Sequence, residues 1–116
     1  MAVKTANGIP MLGLGTFGRT GPEGLEALLA AIEIGYRHLD TAQSYGTEEN
    51  VGKAIATCGL PRSDIFLTTK VADTNLRKSD VLPSVEKSLE TLGVDVIDLL
   101  LIHWPSQNDA VPFEDY

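Results

Sequence analysis

The feature that most constrains the fold is a regular alternation of strand-like and helix-like segments along the chain. "LGLGT" at 12–16 reads as a short strand. Thr20 and Glu23 then stand at capping-box spacing, and Pro22 suits the first position of a helix. Leu25, Leu28, Leu29 and Ile32 recur at helical spacing, and Gly35 ends that segment. "YRHLDTA" at 36–42 predicts the next strand. Thr47 is expected to cap a second helix carrying Val51, Ala54 and Ile55, which Gly59 and Pro61 close. "IFLTTKV" at 65–71 is β-branched and apolar, a further strand. Ser79 is expected to begin a third helix with Val81, Leu82, Val85, Leu89 and Leu92 on its inner face and Gly93 at its end. "VIDLLLIHW" at 96–104 is the last strand, stopped by Pro105. Strands joined by helical crossovers imply a parallel sheet with right-handed connections. The fold class is therefore α/β.

Two segments flank this series. "AVKT" and "IPML" lie either side of Asn7-Gly8, which predicts a tight β-hairpin. At the other end, Ser106 to Asp109 reads as polar loop, and "VPFEDY" as the lead-in to a further element.

A chain of 116 residues suits one domain, and 43% hydrophobic with 22% charged residues is ordinary globular composition. The net charge of −7 repels phosphate backbones and argues against nucleic-acid binding. It leaves room for a small anionic ligand, because a local cluster of donors can outweigh net charge. The single cysteine, Cys58, allows no internal disulfide and reads as a small buried hydrophobe near a helix end. No charged segment leads into an apolar one at the N-terminus, and the apolar run at 99–102 is too short to span a bilayer. The expectation is a cytoplasmic protein with no membrane partner and no metal centre.

"GLGTFG" at 13–18 matches G-x-G-x-x-G, with Asp40 22 residues beyond the last glycine. A dinucleotide-binding turn needs a helix to start at those glycines, so that its first N–H groups meet the pyrophosphate. Here the helix-start signals fall at Thr20 to Pro22, after the motif has ended. The glycines are therefore expected to permit a tight loop and close backbone approach, and a Rossmann module ranks last among the readings.

Four polar residues fall near the C-terminal ends of the predicted parallel strands. Asp40 ends "YRHLD", with Tyr45 in the following loop; Lys70 ends "IFLTTK"; His103 ends "DLLLIH". In parallel α/β folds ligands bind beyond those ends. The strand period places Asp40 on one face with His38, Lys70 with Thr68 and Phe66, and His103 with Leu101 and Leu99. A buried lysine needs a carboxylate. A lysine ammonium beside a tyrosine hydroxyl favours the phenolate, so such a tyrosine can exchange a proton. A histidine can orient a carbonyl oxygen. Such a set is the protein's part of a hydride transfer from a nicotinamide. Taken singly, each residue has another reading: Tyr45 a loop aromatic, Asp40 and Lys70 a structural ion pair, His103 a core histidine. His38 reads as structural.

"LGLGTF", "GYRHLDTAQSYGTEENVGKAI", "LTTK" and "DLLLIHWP" together resemble the aldo-keto reductase family in order and spacing, over nearly the whole chain. The resemblance implies a (β/α)8 TIM barrel, of which residues 1–116 would be the N-terminal half, preceded by a β-hairpin plugging the barrel floor. It implies catalytic roles for Asp40, Tyr45, Lys70 and His103: the tyrosine as proton donor, the lysine and aspartate as its tuners, the histidine as substrate orienter. Tyr45, His103 and Trp104 would contact the substrate. Gly15, Thr16, Phe17 and Asp40 would lie at the nicotinamide end of NADPH, with NADH also possible. The substrate class is small aldehydes or ketones, and the match leans towards microbial reductases of sugar-derived ketones. "VADTN" after Lys70 lacks the aromatic residue common in the family, so the substrate wall differs there.

A closed barrel needs roughly 250 residues. The chain is therefore expected to be a partial barrel domain, strands 1–4, ending before helix 4. The full barrel would be monomeric. An isolated half-barrel, with open edges and an uncovered inner face, would self-associate or pair with another chain, and a non-catalytic product of this kind is the alternative to the reductase.

Overall fold

The computed structural model describes residues 3–116. The proposed first hairpin strand starts at Ala2, which lies outside the described residues. Within them, strands β1 (Thr5–Ala6) and β2 (Ile9–Pro10) pair antiparallel. Asn7 and Gly8 between them have φ of 52° and 82°, the two positive values that a tight type I′ turn requires.

The rest follows the predicted order. Strand β3 (Leu14–Gly15), helix α1 (Gly21–Glu33), strand β4 (His38–Asp40) and helix α2 (Glu48–Thr57) come first. Strand β5 (Phe66–Val71), helix α3 (Val81–Leu92) and strand β6 (Leu99–Ile102) complete the series. The four strands lie in sequential order, β3-β4-β5-β6, and every pairing is parallel. The register runs Gly15, Asp40, Thr68, Leu99 across the sheet. Helix α1 packs on α2 and α2 on α3, forming one outer layer. Between that layer and the sheet lies the core, built around Leu28, Leu39, Val51, Ile65 and Leu67. Each fully buried large side chain there contributes roughly 1.5–3 kcal/mol relative to exposure.

Several local readings are corrected. Thr20 occupies the position before α1 with extended dihedrals, yet its side chain caps nothing. Pro22 does sit in the first turn. Thr47 likewise precedes α2 without capping it. Its hydroxyl instead meets those of Thr16 and Thr41. Helix α3 starts at Val81, two residues later than expected, and Ser79 instead donates to the Asp80 carboxylate at 2.9 Å. Leu82 is 65% exposed and does not face inwards, while Ser88 is buried. Along α3, Ser88 and Leu92 are buried and Val81, Val85 and Leu89 half-buried, and at 100° per residue Leu82 falls a full step away from Val81. Cys58 is half-buried rather than buried. The tail forms two short 3-10 turns, Gln107–Asp109 and Phe113–Asp115. No helix of the described residues is long and apolar enough to cross a membrane.

Candidate active site

The site lies at the C-terminal ends of β3 to β6, where the strand register brings distant residues together. Asp40 pairs with Thr68, so Lys70 stands one pleat further along the same face. The Lys70 ammonium donates to Asp40 Oδ1 at 2.6 Å, to the Thr41 carbonyl at 2.9 Å and to the Tyr45 hydroxyl at 3.4 Å. Those three acceptors use all three of its donors. The Lys70 side chain is only 12% exposed, so the carboxylate partner is a requirement of burial as well as of chemistry.

Tyr45 ends a single 3-10 turn, Gln43–Tyr45, that Gly46 closes with φ of 68°. Its ring meets His103 edge-on, 5.3 Å between centroids. His103 follows β6 and is anchored by its backbone N–H to the Val71 carbonyl at 3.0 Å. Trp104 stacks on the His103 ring at 5.8 Å and 14°. Phe17, largely exposed, also meets the Tyr45 ring edge-on, 5.2 Å between centroids. The structure thus joins Asp40, Lys70 and Tyr45 directly, and His103 and Trp104 through the aromatic row. Below them a cleft of about 350 Å³ runs along the inner sheet face, lined by Gly13, Gly15, Asp40, Lys70 and Leu101 among others.

The glycine motif runs from β3 into the loop that precedes α1. Helix α1 begins at Gly21, beyond Gly18, so no glycine of the motif opens a helix. Gly13 lies close to His38: a Cβ there would come 3.0 Å from its Nδ1, so the ring would have to shift by a few tenths of an ångström. Gly15 faces open space. His38 is structural, with Nε2 at 2.8 Å from the Thr68 hydroxyl and Phe66 edge-on against its ring.

Thr16, a candidate cofactor contact, directly follows β3. It is completely buried, and its hydroxyl donates to the Asp40 carbonyl at 3.0 Å and meets the Thr47 hydroxyl at 3.0 Å. Thr41 reaches the same Thr47 oxygen at 3.0 Å. A buried hydroxyl must find a partner, and here three of them satisfy one another across three segments. As folded, Thr16 ties the loop of Phe17 to the end of β4 and presents no surface to a ligand.

Two supporting residues escaped the sequence reading. The Gln43 carbonyl oxygen accepts from the Ala72 N–H at 2.8 Å and the Asn75 amide at 2.9 Å. Its amide donates to Ser84 at 3.1 Å and Ser88 at 3.2 Å. Gln43 therefore braces the Tyr45 turn against the exit of β5 and against α3. Glu48, nearly buried, accepts from the Thr69 hydroxyl at 2.6 Å and from Ser88 at 3.3 Å. Nothing in their spacing marks them. The only sequence signal is a pair of polar residues beside Tyr45 and at a helix start.

The aldo/keto reductase family model matches residues 11–114. This chain belongs to the aldo/keto reductase family. It is 46% identical over 108 residues to methylglyoxal reductase DkgB of Salmonella typhi, covering 93% of this chain and 40% of that enzyme. An aldo-keto reductase of Mycobacterium sp. (strain KMS) is 47% identical over 106 residues, 90% of this chain and 38% of that protein. In three dimensions the chain superposes on an aldo/keto reductase of Brucella melitensis with a TM-score of 0.85 and 44% identity, over 91% of this chain and 43% of that one. The chain thus spans about two-fifths of the length of the reductases it matches. Its sequential parallel strands are the N-terminal half of the family's (β/α)8 barrel.

Proposed function

We propose that this chain carries the proton-donating half of an NADPH-dependent reduction of small aldehydes and ketones to alcohols. One observation carries the reading. The Lys70 ammonium contacts both the Asp40 carboxylate and the Tyr45 hydroxyl at the mouth of an open cleft. In that contact the phenol oxygen accepts, so its own proton is free to be given away. An adjacent cation lowers the cost of leaving negative charge on that oxygen. Tyr45 then protonates the alkoxide that forms at the substrate carbonyl. His103, held against Tyr45, orients the carbonyl oxygen, and Trp104 and Phe17 wall the approach.

The residues present fit the reactive end of the cofactor. Gly15 faces open space beside Asp40 and Lys70, enough for a flat ring to approach the backbone. When bound, the nicotinamide supplies the hydride. Gly15, Phe17 and Asp40 would border it, with Thr16 acting from behind. NADPH is the cofactor proposed, with NADH possible. In this reading residues 1–116 are one partial barrel domain, and β3 to β6 are barrel strands 1–4. The relative named a methylglyoxal reductase makes small oxo-aldehydes the first substrates to try.

The test is Tyr45→Phe, assayed with methylglyoxal by NADPH absorbance. The expected loss in kcat is on the order of 10²–10⁴, the scale of a general acid. A Phe variant as fast as the parent protein would remove Tyr45 from the mechanism.

A further inference from the structure

The imidazole of His103 has one hydrogen-bonding side chain beside it. Ser44 Oγ lies 3.2 Å from its Nδ1, and Ser44 is exposed on the turn that also carries Tyr45. Among the described residues no group hydrogen-bonds Nε2. The distance alone allows two arrangements, since a hydroxyl both donates and accepts. They differ in chemistry. If Ser44 donates, Nδ1 keeps its lone pair and the proton sits on Nε2. If Ser44 accepts, the proton sits on Nδ1 and Nε2 offers a lone pair. Only the first form can donate to a carbonyl oxygen; the second sets lone pair against lone pair. A neutral imidazole has its tautomer chosen by the hydrogen bond that its other nitrogen makes.

We propose that Ser44 is a positioning residue that donates to Nδ1 of His103 and so holds it as the Nε2–H tautomer, ready to bind a carbonyl oxygen. The proposal rests on the reductase reading for its purpose, though the tautomer itself can be measured without turnover. His38, the only other histidine of the chain, provides the contrast. Its Nδ1 faces the Pro10 carbonyl at 3.4 Å, which can only accept, and its Nε2 meets the Thr68 hydroxyl at 2.8 Å. The same logic gives His38 the opposite tautomer, Nδ1–H. The two rings therefore carry their protons on different nitrogens.

With two histidines, ¹⁵N–¹H correlation spectra of the labelled 116-residue chain, recorded well above the imidazole titration range, separate both rings. The expected spectrum has an unprotonated Nδ1 on His103 and a protonated Nδ1 on His38. Ser44→Ala should move the His103 nitrogens towards a tautomer average and leave His38 in place, which also reports an intact fold. Ser44→Thr, which keeps the hydroxyl, should restore the parent signals. With methylglyoxal, Ser44→Ala should lower kcat/KM about three- to tenfold, the worth of one neutral hydrogen bond. A protonated His103 Nδ1 in the parent chain would overturn the proposal, as would a Ser44→Ala spectrum identical to it. Absence of turnover in the parent protein would instead refute the reductase reading, with the tautomer result standing on its own.

Discussion

Lys70 reaches across from one parallel strand to meet Asp40 on its neighbour, with 2.6 Å between Nζ and Oδ1. The contact spans 30 residues of sequence and leaves the ammonium also bonded to a backbone carbonyl and a phenol. It is the one ion pair of the described residues that includes a strongly buried lysine.

Lys70→Met should therefore cost both stability and activity. Breaking a fully buried pair costs about 3–5 kcal/mol, because a charge is left without a partner. The Asp40 side chain retains 35% exposure, so water can rehydrate it and the cost falls to about 1–3 kcal/mol. Urea denaturation measures this. A midpoint unchanged from the parent would show that the pair merely balances its own desolvation.

Thr47→Val keeps the shape and removes the hydroxyl shared by Thr16 and Thr41. Thr16 retains its bond to the Asp40 carbonyl, but the buried Thr41 hydroxyl loses its partner. The expected loss is about 1–3 kcal/mol, the desolvation penalty of an unsatisfied buried polar group. A thermal melt reads it. A helix-capping role for Thr47 would predict instead that Thr47→Asp stabilises, since aspartate caps well. Here the larger, charged side chain in a buried site should destabilise more than valine does.

Gly52→Ala sets two effects against each other. Inside a helix alanine is favoured over glycine by roughly 0.5–1 kcal/mol. At this position its Cβ would overlap the Leu92 carbonyl at the end of α3. Overpacking against backbone costs about 1–3 kcal/mol, since no rotamer change can relieve it. The packing effect should win, and the melting temperature should fall. A rise would mean that α2 and α3 can move apart freely.

Much of this was legible in advance. The Asn7-Gly8 turn, the glycine stops at Gly35 and Gly93, and the strand over 65–71 depend on neighbours within a few residues, so pattern alone locates them. The same holds for the rejection of "GLGTFG" as a phosphate loop, because a helix start is a local event. The errors share one cause. Thr47 has the chemistry of a cap, yet its hydroxyl joins those of Thr16 and Thr41 in a buried cluster that exists only once three segments meet. Leu82 looks like a core residue until the packing of α3 selects which side of the helix turns inwards. Gln43 and Ser44 carried no signal, since polar residues in a loop are the default.

By itself the sequence determined the element types, their order and the set of residues able to do proton chemistry at strand ends. Those follow from local propensity, from periodicity and from the restricted ways a chain can cross between parallel strands. Only the tertiary structure decided which partners those residues take. Lys70 finds Asp40 through the register of two strands. Ser44 finds His103 across 59 residues, and the Thr47 hydroxyl leaves its helix to join Thr16 and Thr41. Hydrogen bonds act over about 3 Å, so a contact of this kind is set by how elements dock and is invisible to the spacing of residues along the chain.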